Sequence, residues 1–233
     1  MRQFFAGDKL QVGSRYYFDR NQSHHIGDVL RMKNDDEVRI VDCDSRAFTG
    51  RLFFENGKVG VTLMYENEGF EEPSVICVAA LIKKEKWELM IQKACELGAT
   101  MVVPLITRRT IIRLDEKEIS RKLERWNKIA VEACQQCNRT TVCVVERPAV
   151  INQLDKYKQE VNLVAYENED EVRLRDVLDS DRITFVVGPE GGFEKEEVNK
   201  LNDMGFVSVS LGNRILRAET ATMFILSVIE GLR

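Results

Sequence analysis

The sequence predicts an α/β fold in two parts, a small β-barrel-like unit followed by a larger domain on a largely parallel sheet. Three observations predict it. Residues 1–70 carry short β-prone runs set off by turn residues, from about residue 73 continuous apolar runs alternate with amphipathic helical patterns, and the character changes at Glu71-Glu72-Pro73.

In the first part the β-prone runs are "YYF" (16–18), "EVRIVD" (37–42), "AFTGRLFFE" (47–55) and "KVGVTLMYE" (58–66). The segments "NDD" and "ENG" between them are turn chemistry, and short strands at this spacing predict a small barrel. One helical insert, "SHHIGDVLRMK" (23–33), is expected, with Ser23 as its cap and Ile26, Val29 and Leu30 on its apolar face.

The second part opens with "SVICVAALI" (74–82), a continuous apolar run that marks a strand buried on both faces. A helix follows in "KEKWELMIQKACELGA", with Trp87, Met90, Ile91, Ala94 and Leu97 on one face and Gly98 as its stop. After the strand "MVVPLI", a long helix is expected to open at Asp115, with Glu118 in capping-box position and Ile119, Leu123, Trp126, Ala130 and Ala133 facing inward. Strands "VCVV", "VNLVAYE", "ITFVV" and "FVSVSLG" come next, with a helix from Glu194 and a last one from about Ala218. That last helix is apolar almost all round, so it is either wholly buried or covered by another subunit.

The 233 residues suffice for one large domain or two small ones, and 44% hydrophobic with 31% charged residues is the composition of a globular protein. No apolar run is long enough to cross a bilayer and "MRQFFAGDKL" lacks a signal-peptide core, so a cytoplasmic protein is expected, without a membrane partner. The six cysteines are expected as buried thiols rather than disulfides. Cys134-Gln-Gln-Cys137 has no second CxxC, and the two histidines are adjacent and distant in sequence, so no metal site is expected. The overall charge of −4 hides a gradient of −3 over residues 1–73, +5 over 74–150 and −6 over 151–233. A basic middle segment is either a solvated helix face or a surface for phosphates.

The stretch "VVGPEGGF" (186–193) joins an apolar strand to an acidic helix start, "EKEE". It is not a P-loop, because no Gly-Lys-Ser or Gly-Lys-Thr follows Gly188 at the GxxxxGK(S/T) spacing and the acidic first turn opposes polyphosphate. It is not the dinucleotide fingerprint either, because the glycines fall at 188, 191 and 192. A plain tight turn is one reading. The other is a ligand without phosphate, recognised by glycine backbone and by apolar side chains such as Leu211, Ile215 and Leu216. S-Adenosyl-L-methionine, with a sulfonium, an ammonium and an adenine, has that chemistry.

Five segments together resemble one family. "GPEGGFEKEE" followed by "SLGNRILRAETA" (210–221) resembles the paired C-terminal motifs of the RsmE family of the SPOUT superfamily. "HHIGDVLRMKNDDEV", "MIQKACELGATMVVPLITRR" and "RWNKIAVEACQQCNR" resemble its remaining signatures in order and spacing. The match covers essentially the whole chain, with departures at Ile82–Lys86, at Gln135-Gln136-Cys137 and at Asn213.

The resemblance implies a PUA-like RNA-binding β-barrel over residues 1–72 and a methyltransferase domain over 73–233 with a C-terminal trefoil knot. It implies a homodimer that methylates N3 of a uridine in 16S rRNA, in the small ribosomal subunit, from S-adenosyl-L-methionine. By the same resemblance the cofactor is expected against Gly188, Glu190, Gly191, Gly192, Leu211, Gly212, Ile215, Leu216 and Thr220, with Tyr166 at the preceding strand end. Arg217 and Arg214 are the candidates to stabilise a uridinate, and Glu132, Glu190 and Glu219 are candidate bases. RNA contacts are expected from Arg2, Phe4, His24, His25, Arg31, Arg108, Arg109, Arg125 and Arg139, although Phe4 could equally belong to the barrel core. A ribose 2′-O-methyltransferase and an RNA-binding module without catalysis are the alternatives.

Overall fold

The computed structural model describes residues 1–69 and 72–232. The chain divides into two units, Met1–Glu71 with Cys134–Thr141, and Glu72–Ala133 with Val142–Arg233. The expected change of character at Glu71 lies partly outside the described residues.

In the first unit, strands β1 (Arg2–Phe5), β2 (Arg15–Tyr17), β3 (Glu37–Val41), β4 (Ala47–Glu55) and β5 (Lys58–Glu66) join in the order β1-β3-β4-β5-β2. The β4–β5 hairpin turns through Asn56 and Gly57, at φ 50° and 73°, the primed-turn geometry that an Asn-Gly pair accepts. Alternate residues Val38, Ile40, Phe48, Leu52, Val59, Val61 and Leu63 face one core. The N-terminal strand β1 carries no strand signal in the sequence. It forms parallel to β3, and Phe4 fills the core edge-on to Phe18, with ring centroids 5.4 Å apart.

The helical insert differs from its expected bounds. Helix α1 spans Arg20–His24 and is capped by Asp19, whose carboxylate accepts from the Gln22 amide at 2.7 Å. A π-helical turn, His25–Val29, continues it. Ser23 lies inside the helix, where its hydroxyl donates to the Phe18 carbonyl at 3.2 Å. Asp19 wins because its carboxylate precedes the first turn, where the unpaired amides are.

Asp42, at the end of β3, holds the loop around it. Its oxygens accept from the amides of Asp44 (2.9 Å), Arg46 (3.0 Å) and Leu10 (3.3 Å) and from the Arg46 guanidinium. Burial pushes the carboxyl pKa up, but these donors outweigh it and hold it below the ordinary aspartate value. The stability it contributes is therefore complete at neutral pH and is lost as pH falls through the carboxylate range to the depressed folded pKa. Asp42→Asn turns an amide donor toward backbone N–H groups and is expected to destabilise the barrel by about 1–3 kcal/mol at pH 7. Urea denaturation checks this: the gap between variant and wild type should narrow on acidification. A gap that does not change with pH would remove the charge from the explanation.

The second unit is built on β6 (Ser74–Ala80), β7 (Met101–Ile106), β8 (Val144–Val145), β9 (Ala149–Val150), β10 (Val161–Ala165), β11 (Arg182–Val187) and β12 (Val207–Val209). The order is β12-β10-β11-β6-β7-β8, β9 also pairs β7, and every pairing is parallel. The buried run of β6 sits mid-sheet, which is why it reads as continuously apolar.

Helix α2 (Lys84–Glu96) buries Trp87, Met90, Ile91 and Ala94 and stops before Gly98, at φ +94°. Helix α3 (Glu116–Gln136) opens with the expected reciprocal cap, Glu118 amide to Asp115 at 2.7 Å and Asp115 amide to Glu118 at 3.2 Å. Helix α4 (Lys195–Asp203) is capped by Glu194, and helix α5 (Ala218–Gly231) follows Arg217. α5 packs on α2, where the Thr222 hydroxyl donates to Met90 Sδ at 3.4 Å, and it also touches β6 and β11. Among the described residues no helix is long and apolar enough to cross a membrane. Cys77, Cys95, Cys134 and Cys143 are buried thiols, Cys137 is half-buried and Cys43 is exposed.

Candidate active site

The strand order determines where a ligand can sit. From β6 the chain builds outward through β7, β8 and β9, then returns to place β10, β11 and β12 on the other side of β6. Open parallel sheets bind ligands beyond the carboxyl ends of strands where the order reverses. Because β10 lies between β12 and β11, three of these ends are neighbours. They carry Tyr166, the Gly188–Gly192 loop and the Ser210–Leu216 loop, which the sequence alone keeps far apart.

The glycines differ in what they require. Gly192 has φ +70° and its amide donates to the Pro189 carbonyl at 2.9 Å, so the turn needs a left-handed residue. At Gly188 a Cβ would stand 3.0 Å from the Phe193 ring, which is buried in the core, so backbone and ring are in close approach. At Gly191 a Cβ would meet Arg109 Cδ at 3.5 Å, an ordinary contact.

The acidic helix start, repulsive to phosphate in sequence, is answered by two arginines from the loop after β7. Arg109 donates from Nε to Glu194 at 2.7 Å and from Nη1 to the Gly191 carbonyl at 2.6 Å. Its hydrogen bond and charge interaction with Glu194 raise the guanidinium pKa further. The buried Glu197 accepts from the Arg108 amide at 2.9 Å and the Glu194 amide at 3.0 Å, and Glu196 faces the Arg108 guanidinium at 3.6 Å. Arg108 and Arg109 thus brace the glycine loop. The sequence offers them as phosphate contacts or as part of a solvated basic face. The signal for bracing was present as opposite charges at two strand ends, but it needs the sheet order to bring those ends together.

On the last loop Gly212 is exposed at φ +109° and Ile215 is 89% exposed. Leu211 and Leu216 are half-buried, and Thr220 is exposed on the first turn of α5. Tyr166 donates its amide to the Val209 carbonyl at 3.1 Å, and its hydroxyl accepts from Asn168 at 3.0 Å. Arg214 and Arg217 are exposed, and among the described residues neither guanidinium has a hydrogen bond or ion pair. Both charges stand free on the segment that joins β12 to α5.

The candidate carboxylates separate. Glu190 is exposed within the loop. Glu219 turns toward α2, pairs with Lys86 at 3.2 Å, and leaves its second oxygen buried without a partner. Glu132 stands 16 residues after Glu116, so it lies about 24 Å along α3. Since α3 leads from the carboxyl end of β7 back toward β8, the chain's own Glu132 is not gathered with the loops.

The expected RNA residues also sort by environment. Arg2, His24, His25 and Arg31 are exposed on the first unit, and His24 Nδ1 lies 2.6 Å from Asp28. Phe4 does not present its ring: it is 3% exposed in the barrel core, so base stacking on it is excluded in this fold. Arg139 is 8% exposed, with Nη2 donating to Thr141 and its carbonyl accepting from Gln3 at 2.6 Å. It is a buried joint within the first unit, so the expected phosphate contact is corrected. Arg125 makes a two-pronged pair with Glu88, both bonds at 2.7 Å, and its hydrogen bonds hold the Glu88 carboxyl below its ordinary pKa. That pair clamps α3 to α2. Among the described residues no group of three or more His, Cys, Asp or Glu is placed to hold a metal.

The chain is similar to known proteins along nearly its whole length. Residues 70–230 match the family model described as an RNA methyltransferase domain, and residues 18–59 match the RNA methyltransferase PUA domain. The ribosomal RNA small subunit methyltransferase E of Bacillus subtilis is 35% identical, covering 99% of this chain and 96% of that protein. That of Rickettsia conorii is 32% identical over 92% of this chain and 86% of its own length. A crystal structure of the Neisseria gonorrhoeae enzyme of that name, bound to S-adenosyl methionine, superposes with a TM-score of 0.90 at 28% identity, covering 100% of this chain and 98% of that one. A Legionella pneumophila methyltransferase in complex with the same cofactor gives 0.88 at 29% identity, covering 99% and 97%. The N-terminal sheet is PUA-like, the second unit is an α/β methyltransferase domain, and the chain belongs to the ribosomal RNA small subunit methyltransferase E family.

Proposed function

We propose that this protein transfers a methyl group from S-adenosyl-L-methionine to N3 of a uridine in 16S rRNA. The observation that carries the reading is that the strands leading to Tyr166, Gly188–Gly192 and Ser210–Leu216 are neighbours in the sheet, the last followed by two unpaired arginines, Arg214 and Arg217. Gly191 and Gly212 are exposed and carry no side chain to hold a ligand off, and the exposed Ile215 offers apolar cover for a flat ring. That is the fit an adenine nucleoside without phosphate requires. The cofactor, when bound, supplies an electrophilic methyl on a sulfonium.

The chain's own residues have two tasks. Leu211, Leu216 and the glycine amides hold and orient the cofactor, with Tyr166, Glu190 and Thr220 at its margins. Arg217 and Arg214 stabilise the negative charge that uracil acquires as N3 loses its proton, by fixed positive charge placed where the anion forms. Glu190 is the exposed carboxylate in the loop and the candidate to take that proton; Glu132 enters only if a second copy of the chain delivers it. The half-exposed Phe224 of α5 supports the homodimer reading. The domains are assigned as residues 1–72 for RNA contact, through Arg2, His24, His25 and Arg31, and 73–233 for transfer. Placement of β12 across β10 from β11, with α5 returning to β6, supports a threaded C-terminal segment.

The test is transfer from labelled cofactor to small ribosomal subunits that lack the modification, followed by digestion and identification of the nucleoside. N3-methyluridine is expected. A 2′-O-methyl nucleoside would show that the wrong atom has been assigned, and cofactor binding without transfer would leave only an RNA-binding module.

A further inference from the structure

A cavity of about 330 Å³ opens beside the candidate active site, at the carboxyl ends of β7 and β9. Its floor is apolar, from Ile106, Val150 and Ile151, and its rim carries Arg108, Arg113, Asn152, Glu196, Glu197 and Lys200. The strands are parallel, so this cavity and the glycine loops lie along one edge of the same sheet.

The charges of the rim do not cancel. Arg108 pairs with Glu196, while buried Glu197 accepts only from neutral amides, those of Arg108 and Glu194, so with Arg113 and Lys200 the rim keeps one positive charge in excess. Arg113 has a neutral partner, the Thr110 carbonyl at 3.0 Å. Among the described residues the side chains of Lys200 and Asn152 have no hydrogen bond or ion pair. Two cations and an amide therefore border the opening with their capacity unused. A group with one negative charge and more than one acceptor oxygen satisfies them. A more highly charged polyphosphate exceeds the positive charge that the rim offers. The apolar floor accommodates a sugar face better than a hydrated ion.

We infer that this cavity takes a backbone phosphodiester of the substrate RNA, held by Arg113, Lys200 and Asn152. The inference rests on the methyltransferase reading given above. It also gives adjacent arginines distinct places: Arg108 lines the phosphate cavity, and Arg109 holds the Gly191 carbonyl of the cofactor loop. The RNA strand is thereby anchored one residue away from the group that braces the loop.

The experiment uses the full chain with Arg113→Gln and Lys200→Gln combined; both side chains are exposed, so the fold does not depend on them. Affinity for unmodified small subunits is measured against salt, and affinity for S-adenosylmethionine separately. Losing one phosphate contact should lower the slope of log affinity against log salt by about 1 and weaken RNA binding roughly tenfold at low salt. Cofactor affinity should stay constant, and Arg113→Lys alone should keep most of the RNA affinity. A double variant with wild-type RNA affinity and salt slope overturns the inference. So does inorganic phosphate that stabilises the wild type thermally and not the variant while RNA affinity is the same for both, because the site then serves a free anion. Failure of the wild type itself to bind or methylate the RNA would instead overturn the functional reading.

Discussion

Alanine in place of Arg217 is expected to slow methyl transfer by about 10²–10³-fold, the effect of removing one preorganised donor from a developing anion. Cofactor affinity should change little. The two effects separate because of where Arg217 stands. Its backbone is extended, at φ −68° and ψ 154°, and its carbonyl accepts the Ala221 amide at 2.8 Å to start α5. Alanine can keep both. Its guanidinium is exposed and, among the described residues, unpaired, so truncation breaks no contact of the folded chain. What is lost is positive charge beside the loops, which matters as N3 of uracil gives up its proton and much less while the cofactor binds. The rate should also keep rising to higher pH than in the wild type, since without the cation N3 of uracil holds its proton more tightly, and added guanidinium should restore part of the rate. Single-turnover transfer and cofactor titration measure the two quantities. Unchanged turnover would remove Arg217 from the reaction and leave Arg214 as the cation to test.

Valine at Gly192 is expected to weaken cofactor binding by about 10–100-fold, because the left-handed backbone costs an L-residue roughly 1–2 kcal/mol and a β-branched one more. At φ +70° the loop closes through the Gly192 amide and the Pro189 carbonyl. A side chain there also overlaps the Glu167 carboxylate, which is exposed and can swing away. The backbone strain has no such relief, so the loop leaves this conformation and carries Gly188 to Gly191 with it. The sheet core stays intact, so the melting transition should persist. Gly191→Ala separates the two effects, since its Cβ makes only ordinary contact with Arg109 and a loss there reports backbone approach by the cofactor without strain; a smaller loss than at Gly192 is expected. Equal losses at both positions would mean that backbone approach at each glycine, rather than the left-handed turn, carries recognition.

The contrast between these glycines shows how far the sequence reaches. "GPEGG" marks a loop where backbone matters, but no pattern in it says which glycine is left-handed. That depends on how the strand exit meets Phe193, Glu167 and Arg109, which arrive from distant positions. The helix starts at Asp115 and Glu194 were legible because capping is settled within four residues. The cap of α1 was not, because Asp19 and Ser23 are both acceptable in isolation and the entry from β2 selects between them. Strand β1 was invisible for a related reason: Arg2–Phe5 has no alternation of its own and is ordered by its pairing to β3 and by the core around Phe4.

By itself the sequence determined the two-part α/β organisation, the buried strands, the main helices and the family, since periodicity, caps and motifs are local properties of the chain. Only the tertiary structure decided which residues share a site. Parallel order β12-β10-β11 brings Tyr166, Gly188 and Gly212 to neighbouring strand ends, and β7 supplies the arginines that neutralise the acidic start of α4. The same packing took Phe4 and Arg139 out of solvent and set Glu132 at the far end of its helix. Charge and residue type are written locally. Exposure, pairing and proximity depend on chain segments dozens of residues apart, and so arise only when the chain has folded.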